Sequence, residues 1–205
     1  MADPAYEAMS KAKRQVEGGN PMGAEKTLED YLVKDPHNTK PRLYLAQILV
    51  NNLNDKQTAL MQLEIILDIE PDNMDALKAM VLMLRVDKRR KKDADEMYRK
   101  LLAHFPDDID LMSSYAIFLR KQMVDFEGAA AYYEKALSIN PRRSDIHYNY
   151  AIILVKDLKD YVAGREHLEE AIRLDPSNYN AQKGLDILMK KKFKDGKEKK
   201  GLFRK

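Results

Sequence analysis

Five prolines, Pro36, Pro71, Pro106, Pro141 and Pro176, stand 35 residues apart in this 205-residue chain. Between them other positions recur at the same interval. Leu45, Ala46, Leu49, Ala59, Leu63 and Ile66 are followed 35 residues on by Met80, Val81, Leu84, Ala94, Tyr98 and Leu101. Then come Tyr115, Ala116, Leu119, Ala129, Tyr133 and Ala136, and after them Tyr150, Ala151, Leu154, Gly164, Leu168 and Ala171. A lattice of this kind belongs to a repeated structural unit, which offers a long surface in place of a dedicated pocket.

Within each period the early residues, spaced by one, three and four, lie on one face of a helix. The later residues, spaced by four and three, mark a second helix, and the proline ends it because proline cannot continue a helix. Polar connectors such as 51–57 and 86–92 separate the two. Small residues at Ala59, Ala94, Ala129 and Gly164 allow the paired helices to approach closely. Composition agrees: Gly and Pro occur eight times each and charged residues make up 34% of the chain, a helix-favouring balance. A helical hairpin cannot bury its apolar face alone, so stacking of successive hairpins supplies the core.

The recurring set is similar to that of the tetratricopeptide repeat family, and repeat four carries it best, with Tyr115, Ala116 and Leu119 and then Ala129, Tyr133 and Pro141. The resemblance implies an all-α fold, a right-handed superhelix of helical hairpins over residues 1–189. Five repeats fit, at about 5–38, 39–73, 74–108, 109–143 and 144–178, with a capping helix at 179–191 and a basic tail at 190–205. The family's usual period is 34; the extra residue here falls between the two helices of each repeat, since Leu49 and Ala59 are ten apart. Repeat one is irregular, with Ala12, Val16, Ala24, Leu28 and Tyr31 in place of the regular set, as suits a cap that meets water.

The resemblance also implies a concave groove lined by the first helix of each repeat, where a protein or peptide partner lies. Its lining would include Tyr44, Gln47, Lys78, Leu82, Ser114, Ile117, Tyr148, Asn149 and Ile152. Leu82, Ile117, Ile152 and Ile187 recur at the lattice spacing as one apolar row, which suits an apolar or amphipathic segment. Packing between repeats is the other reading of the same row. Asp75, Asp110 and Asp145 also recur, in the first turn of a helix, where the dipole favours a carboxylate. The family's clamp for acidic chaperone tails needs five Lys, Asn and Arg side chains; the corresponding positions hold Ser113, Ile117, Asn149, Asn180 and Gly184, of which Asn149 alone fits. Base reading in the manner of pentatricopeptide repeats would use pairs such as Asp72 with Leu77 and Asp107 with Met112, and Leu and Met cannot hydrogen-bond a base edge.

Charge is divided unevenly. Residues 190–205 carry nine Lys and Arg against Asp195 and Glu198, which leaves the rest of the chain mildly acidic. Lys190, Lys191, Lys192, Lys194, Lys199, Lys200 and Arg204 therefore form a basic arm able to attract nucleic acid or an anionic membrane. Phe193, Leu202 and Phe203 interrupt it and would either dock on the body or insert at a surface. A second basic run, Lys88 to Lys92, is expected to project from the connector of repeat three.

No catalytic constellation emerges, and neither an enzyme nor a cofactor is expected. Gly18, Gly19 and Gly23 lack the Lys and Ser or Thr of a phosphate loop. The histidines His37, His104, His147 and His167 are scattered, read best as helix-surface residues, and have no metal spacing. There is no cysteine, which removes thiolate chemistry. With no leader-like or spanning segment, a cytoplasmic address is expected. Self-association through stacked repeats remains compatible with all of this.

Overall fold

The computed structural model describes residues 3–193 and contains eleven α-helices and no strand among them. First helices start at residues 4, 39, 74, 109, 144 and 179, and second helices at 21, 56, 91, 126 and 161, each series advancing by 35. The proline lattice is therefore a lattice of helix starts. Four second helices end two residues before a lattice proline, at Ile69, His104, Ile139 and Leu174.

Two compact units result, divided between His104 and Phe105. The first contains α1 (Pro4–Glu17), α2 (Pro21–Leu32), α3 (Thr39–Asn51), α4 (Lys56–Ile69), α5 (Met74–Leu84) and α6 (Lys91–His104). The second contains α7 (Ile109–Phe118), α8 (Phe126–Ile139), α9 (Ser144–Ile153), α10 (Tyr161–Leu174) and α11 (Tyr179–Lys192). Within each unit every helix packs on its neighbours in sequence.

The recurring residues form both cores. Leu45, Leu49, Leu63, Ile66, Met80 and Tyr98 are buried in the first unit, and Tyr115, Leu119, Tyr133, Ala151 and Leu168 in the second. A fully buried Leu contributes about 1.5–3 kcal/mol, so one equivalent position per repeat accounts for much of the cohesion. Repeat one lacks the regular first-helix set but starts on the lattice, and Ala12, Ala24 and Leu28 are fully buried.

Helix starts are pinned by side-chain caps at the same interval. Asn20, Asp55, Asp125 and Asp160 each accept a hydrogen bond from the backbone N–H three residues on, at 2.9–3.0 Å. Asp3, Asn73, Asp108 and Asn178 cap first helices. Each such cap stabilises by about 1 kcal/mol. Repeat three departs from the pattern: Arg90 stands at the cap position, and a 3-10 turn, Lys88–Arg90, leads into α6. Arg90 is bound there by Glu64 and Asp93, each at 2.7 Å, and Lys91 and Lys92 open the helix. The basic run is thus partly tied down and partly helical, where a projecting connector is expected.

The thirty-fifth residue of the repeat is absorbed at the end of the first helix. After α7 and α9 the chain widens into π-helical turns, Leu119–Met123 and Leu154–Leu158, the usual way a helix accommodates one residue too many. The residue just before the second-helix cap then turns left-handed at Gly19, Asn54, Val124 and Lys159, with φ between 56 and 77°. Only the first of these is glycine.

Candidate functional site

In the second unit, α7 and α9 enclose a cleft of about 270 Å3 lined by Ile117, Lys121, Tyr148, Asn149 and Ile152. A larger cleft, about 410 Å3, lies between α9 and α11 and is lined by Tyr148, Ile152, Lys156, Lys183, Ile187 and Lys191. Tyr148 and Ile152 belong to both, so the two clefts join along α9. Four of the groove residues expected from the sequence, Ile117, Tyr148, Asn149 and Ile152, are brought together here. Ser114 is half-buried and lines neither cleft.

The first unit has its own cleft, about 440 Å3, between α3 and α5, and Gln47, Lys78 and Leu82 line it with Asp75 and Met83. Tyr44 lies outside it; burial, and then the Glu17 carboxylate, raise its pKa above the ordinary tyrosine value. The apolar row stays outside the core. Leu82 is 62% exposed, Ile117 37% and Ile187 45%, while Ile152 is half-buried. Three of the four are thus open to solvent, and Ile152 is open in part.

Two of the recurring aspartates, Asp110 and Asp145, share a further partner. Arg143 stands at the cap position of α9, makes no cap bond, and donates instead to Asp110 and Asp145 at 2.8 Å each. These bonds hold the Asp145 carboxyl below its ordinary pKa and Arg143 above its own. Arg120 is paired with Asp157 across the turns that follow α7 and α9. Two arginines thus brace the helices that frame the cleft.

One expectation is corrected here. His147 and His167 are not surface residues: His147 is buried, and the Nδ1 atoms of the two rings lie 2.8 Å apart. Lys190, Lys191 and Lys192 form the last turn of α11, so the capping helix expected at 179–191 runs one residue further, and Lys192 lies over the Tyr161 ring at 4.4 Å. Phe193 docks on the body, buried beside Leu188 with the Arg165 guanidinium 5.1 Å from its ring. Lys194, Lys199, Lys200, Leu202, Phe203 and Arg204 lie outside the described residues. Sequence reasoning also overlooked Lys156, although it repeats Lys121 and Lys191 at the lattice spacing.

A family model for the tetratricopeptide repeat matches residues 120–179, from the turn after α7 to the start of α11. Solved structures extend the likeness over most of the chain. A tetratricopeptide repeat protein from Parabacteroides merdae superposes with a TM-score of 0.74 at 19% identity, over 92% of this chain and 73% of its own. The chain has the tetratricopeptide-repeat fold. MamA from Desulfovibrio magneticus RS-1, residues 41 to the end, has a TM-score of 0.71 at 20% identity and covers 87% of this chain and 99% of its own. YrrB, described as a tetratricopeptide repeat protein with an unusual peptide-binding site, has a TM-score of 0.64 at 18% identity, over 83% of this chain and 85% of its own. No curated protein matches the sequence. The α7–α9 cleft lies on the segment that the family model matches except for Ile117, whereas the α11 side of the α9–α11 cleft lies beyond it. Among the described residues no group of three or more His, Asp or Glu side chains is placed to hold a metal, and no helix is long and apolar enough to cross a membrane.

Proposed function

We propose that this protein is an interaction module that holds a segment of a partner protein against the exposed faces of its first helices. The observation that carries the reading is the row of Leu82, Ile117, Ile152 and Ile187. These side chains recur at the 35-residue interval on α5, α7, α9 and α11, line clefts, and stay wholly or partly accessible although neighbouring positions close the cores without them. An apolar surface kept open in this way suits an amphipathic or extended segment. Gln47 and Lys78 in the first unit, and Asn149 and Tyr148 in the second, would orient the segment through polar contacts. The fold favours such a role, since helical repeats place side chains at fixed intervals along an accessible face.

Capture from a native extract tests this reading, using the full chain, a chain ending at Phe193, and Leu82→Asp and Ile117→Asp variants. The truncation must retain Phe193 because that ring is buried. A discrete protein should be retained by the full chain and by the truncation and lost with either Asp substitution, while thermal melts stay unchanged. Retention that survives both substitutions would overturn the assignment. Retention of nucleic acid or lipid alone, lost on truncation, would instead place binding in residues 194–205.

A further inference from the structure

On α7, α9 and α11 the isoleucine of the apolar row is followed four residues later by a lysine. The pairs are Ile117 with Lys121, Ile152 with Lys156 and Ile187 with Lys191. All six line the joined clefts of the second unit. The three lysines are exposed, and among the described residues none forms an ion pair. No carboxylate lines either cleft. Three carboxylates of the same unit are engaged by arginines, Asp110 and Asp145 by Arg143 and Asp157 by Arg120. Lys183 and Lys192 add further positive charge around the α9–α11 cleft.

Like charges gathered at an apolar cleft repel one another, and a ligand carrying the opposite sign relieves that repulsion as it binds. We infer that the second unit takes an acidic segment that presents one apolar side chain to the isoleucine and one carboxylate to the lysine of each repeat. This rests on the interaction-module reading and adds the chemistry of the partner. A step of about 10 Å from one Ile and Lys pair to the next corresponds to about seven residues of helix at 1.5 Å each or three extended residues at about 3.3 Å. The partner's apolar and acidic pairs therefore repeat every seven residues if it is helical, or every three if it is extended. The basic residues 194–205 of the chain itself have the wrong sign to fill this place. A nucleic acid would engage the lysines but leave the isoleucine row without an apolar partner.

The test uses the full chain and two fluorescein-labelled peptides, one helical with a Leu and Glu pair in each of three heptads, the other extended with the pair at every third residue. A matched version of each replaces Glu with Lys. In fluorescence anisotropy one acidic peptide should bind and its Lys counterpart should not. Reversing the ladder, as Lys121→Glu, Lys156→Glu and Lys191→Glu together, should weaken binding at least about ten-fold; circular dichroism melts check that the exposed substitutions leave the fold intact. Equal binding of Glu and Lys peptides, or an undiminished affinity in the reversed variant, would sink the inference. So would a single-stranded oligonucleotide that binds as tightly as the peptides and does not respond to Ile152→Ala. If the acidic peptides fail while Leu82→Asp and Ile117→Asp still abolish capture from extract, the partner chemistry is wrong and the interaction module stands. Capture indifferent to those two substitutions removes the module reading itself.

Discussion

His147 occupies in α9 the place that Arg42 occupies in α3, and each donates a hydrogen bond to the carbonyl of the lattice proline six residues before it. Arg42 Nη2 lies 2.7 Å from the Pro36 oxygen and His147 Nε2 lies 3.0 Å from the Pro141 oxygen. Both are buried, and both reach the second helix of their repeat, Arg42 at Gln62 and His147 at His167. Gln182, one period beyond His147, donates to the Pro176 oxygen at 2.6 Å. The proline that ends a second helix leaves a carbonyl needing a donor, and a polar side chain on the next helix supplies one. At the two intervening positions, Leu77 and Met112, apolar packing replaces the bond.

The histidine version makes stability depend on pH. Because His147 Nε2 must donate to Pro141, its Nδ1 accepts the N–H of His167 Nδ1, and a doubly protonated pair would set two donors against each other. Burial, and then the neighbouring His147, push the His167 pKa below its ordinary value of 6.5, although Glu166, Glu134 and Glu170 oppose the shift. The Tyr150 ring, 4.6 Å away, covers the same imidazole. In the unfolded chain His167 binds its proton near 6.5, so below that pH the unfolded state holds more protons and stability falls as pH drops, by about 1.4 kcal/mol for each unit of depression. Calorimetric melts between pH 7 and 5 should show this decline. His167→Gln, which copies Gln62, should flatten it, and an unaltered slope would exclude the pair as its source.

Val124 is a β-branched residue held left-handed at φ 59° with its side chain 63% exposed. That conformation costs an L-residue about 1–2 kcal/mol, against about 0.5–1 kcal/mol of added backbone freedom when glycine replaces it. Val124→Gly should therefore stabilise the protein by up to about 1 kcal/mol, measured by urea denaturation. Lys159→Gly should gain less, because lysine is not β-branched. A loss of stability in Val124→Gly would contradict this account of the turn.

Gly164 has Val155 against it: a Cβ added there would lie 2.4 Å from Val155 Cγ2. The equivalent position is alanine at 24, 59, 94 and 129. Helix propensity alone would make Gly164→Ala favourable by about 1 kcal/mol, but the overlap with a stiff β-branched side chain should reverse the sign, to a net loss of about 1–3 kcal/mol. Adding Val155→Ala should recover most of it. Without that recovery in a double-mutant cycle, the contact is not the cause.

Phe193→Ala should destabilise the second unit by about 3 kcal/mol, the usual loss for a buried aromatic ring. Arg165 and Leu188 would lose the surface they pack against. A melt indistinguishable from that of the unaltered chain would show that the ring adds nothing to the core.

Most of the fold can be read from the sequence, because proline, small and large apolar residues recur at one interval and each has a local reason to stand there. The row of Ile117 and Ile187 is visible in the same phase, but its exposure is not, since packing between repeats fits the pattern equally well. What escapes such reading depends on partners from other helices. His147 and His167 are 20 residues apart in sequence and meet only when α9 packs on α10. Phe193 sits among lysines, so local composition places it in a tail, and only its contacts with α10 and α11 draw it inward. The π-helical turns leave no mark beyond the extra residue. The lysine ladder is different: Lys121, Lys156 and Lys191 are visible in the sequence, but charges on a helix face draw no notice until the clefts they line prove to hold no carboxylate.

Caps that return every 35 residues also bear on how fast the chain finds its structure. Each hairpin carries its own start signals and meets chiefly the helices next to it in sequence, so folding closes only short loops. Search over distant strand pairings, the slow step for many β-rich domains, has no counterpart here. Folding can begin at any hairpin and spread to the next. On that footing, hairpins already released from the ribosome can stack on one another while later ones are still being made.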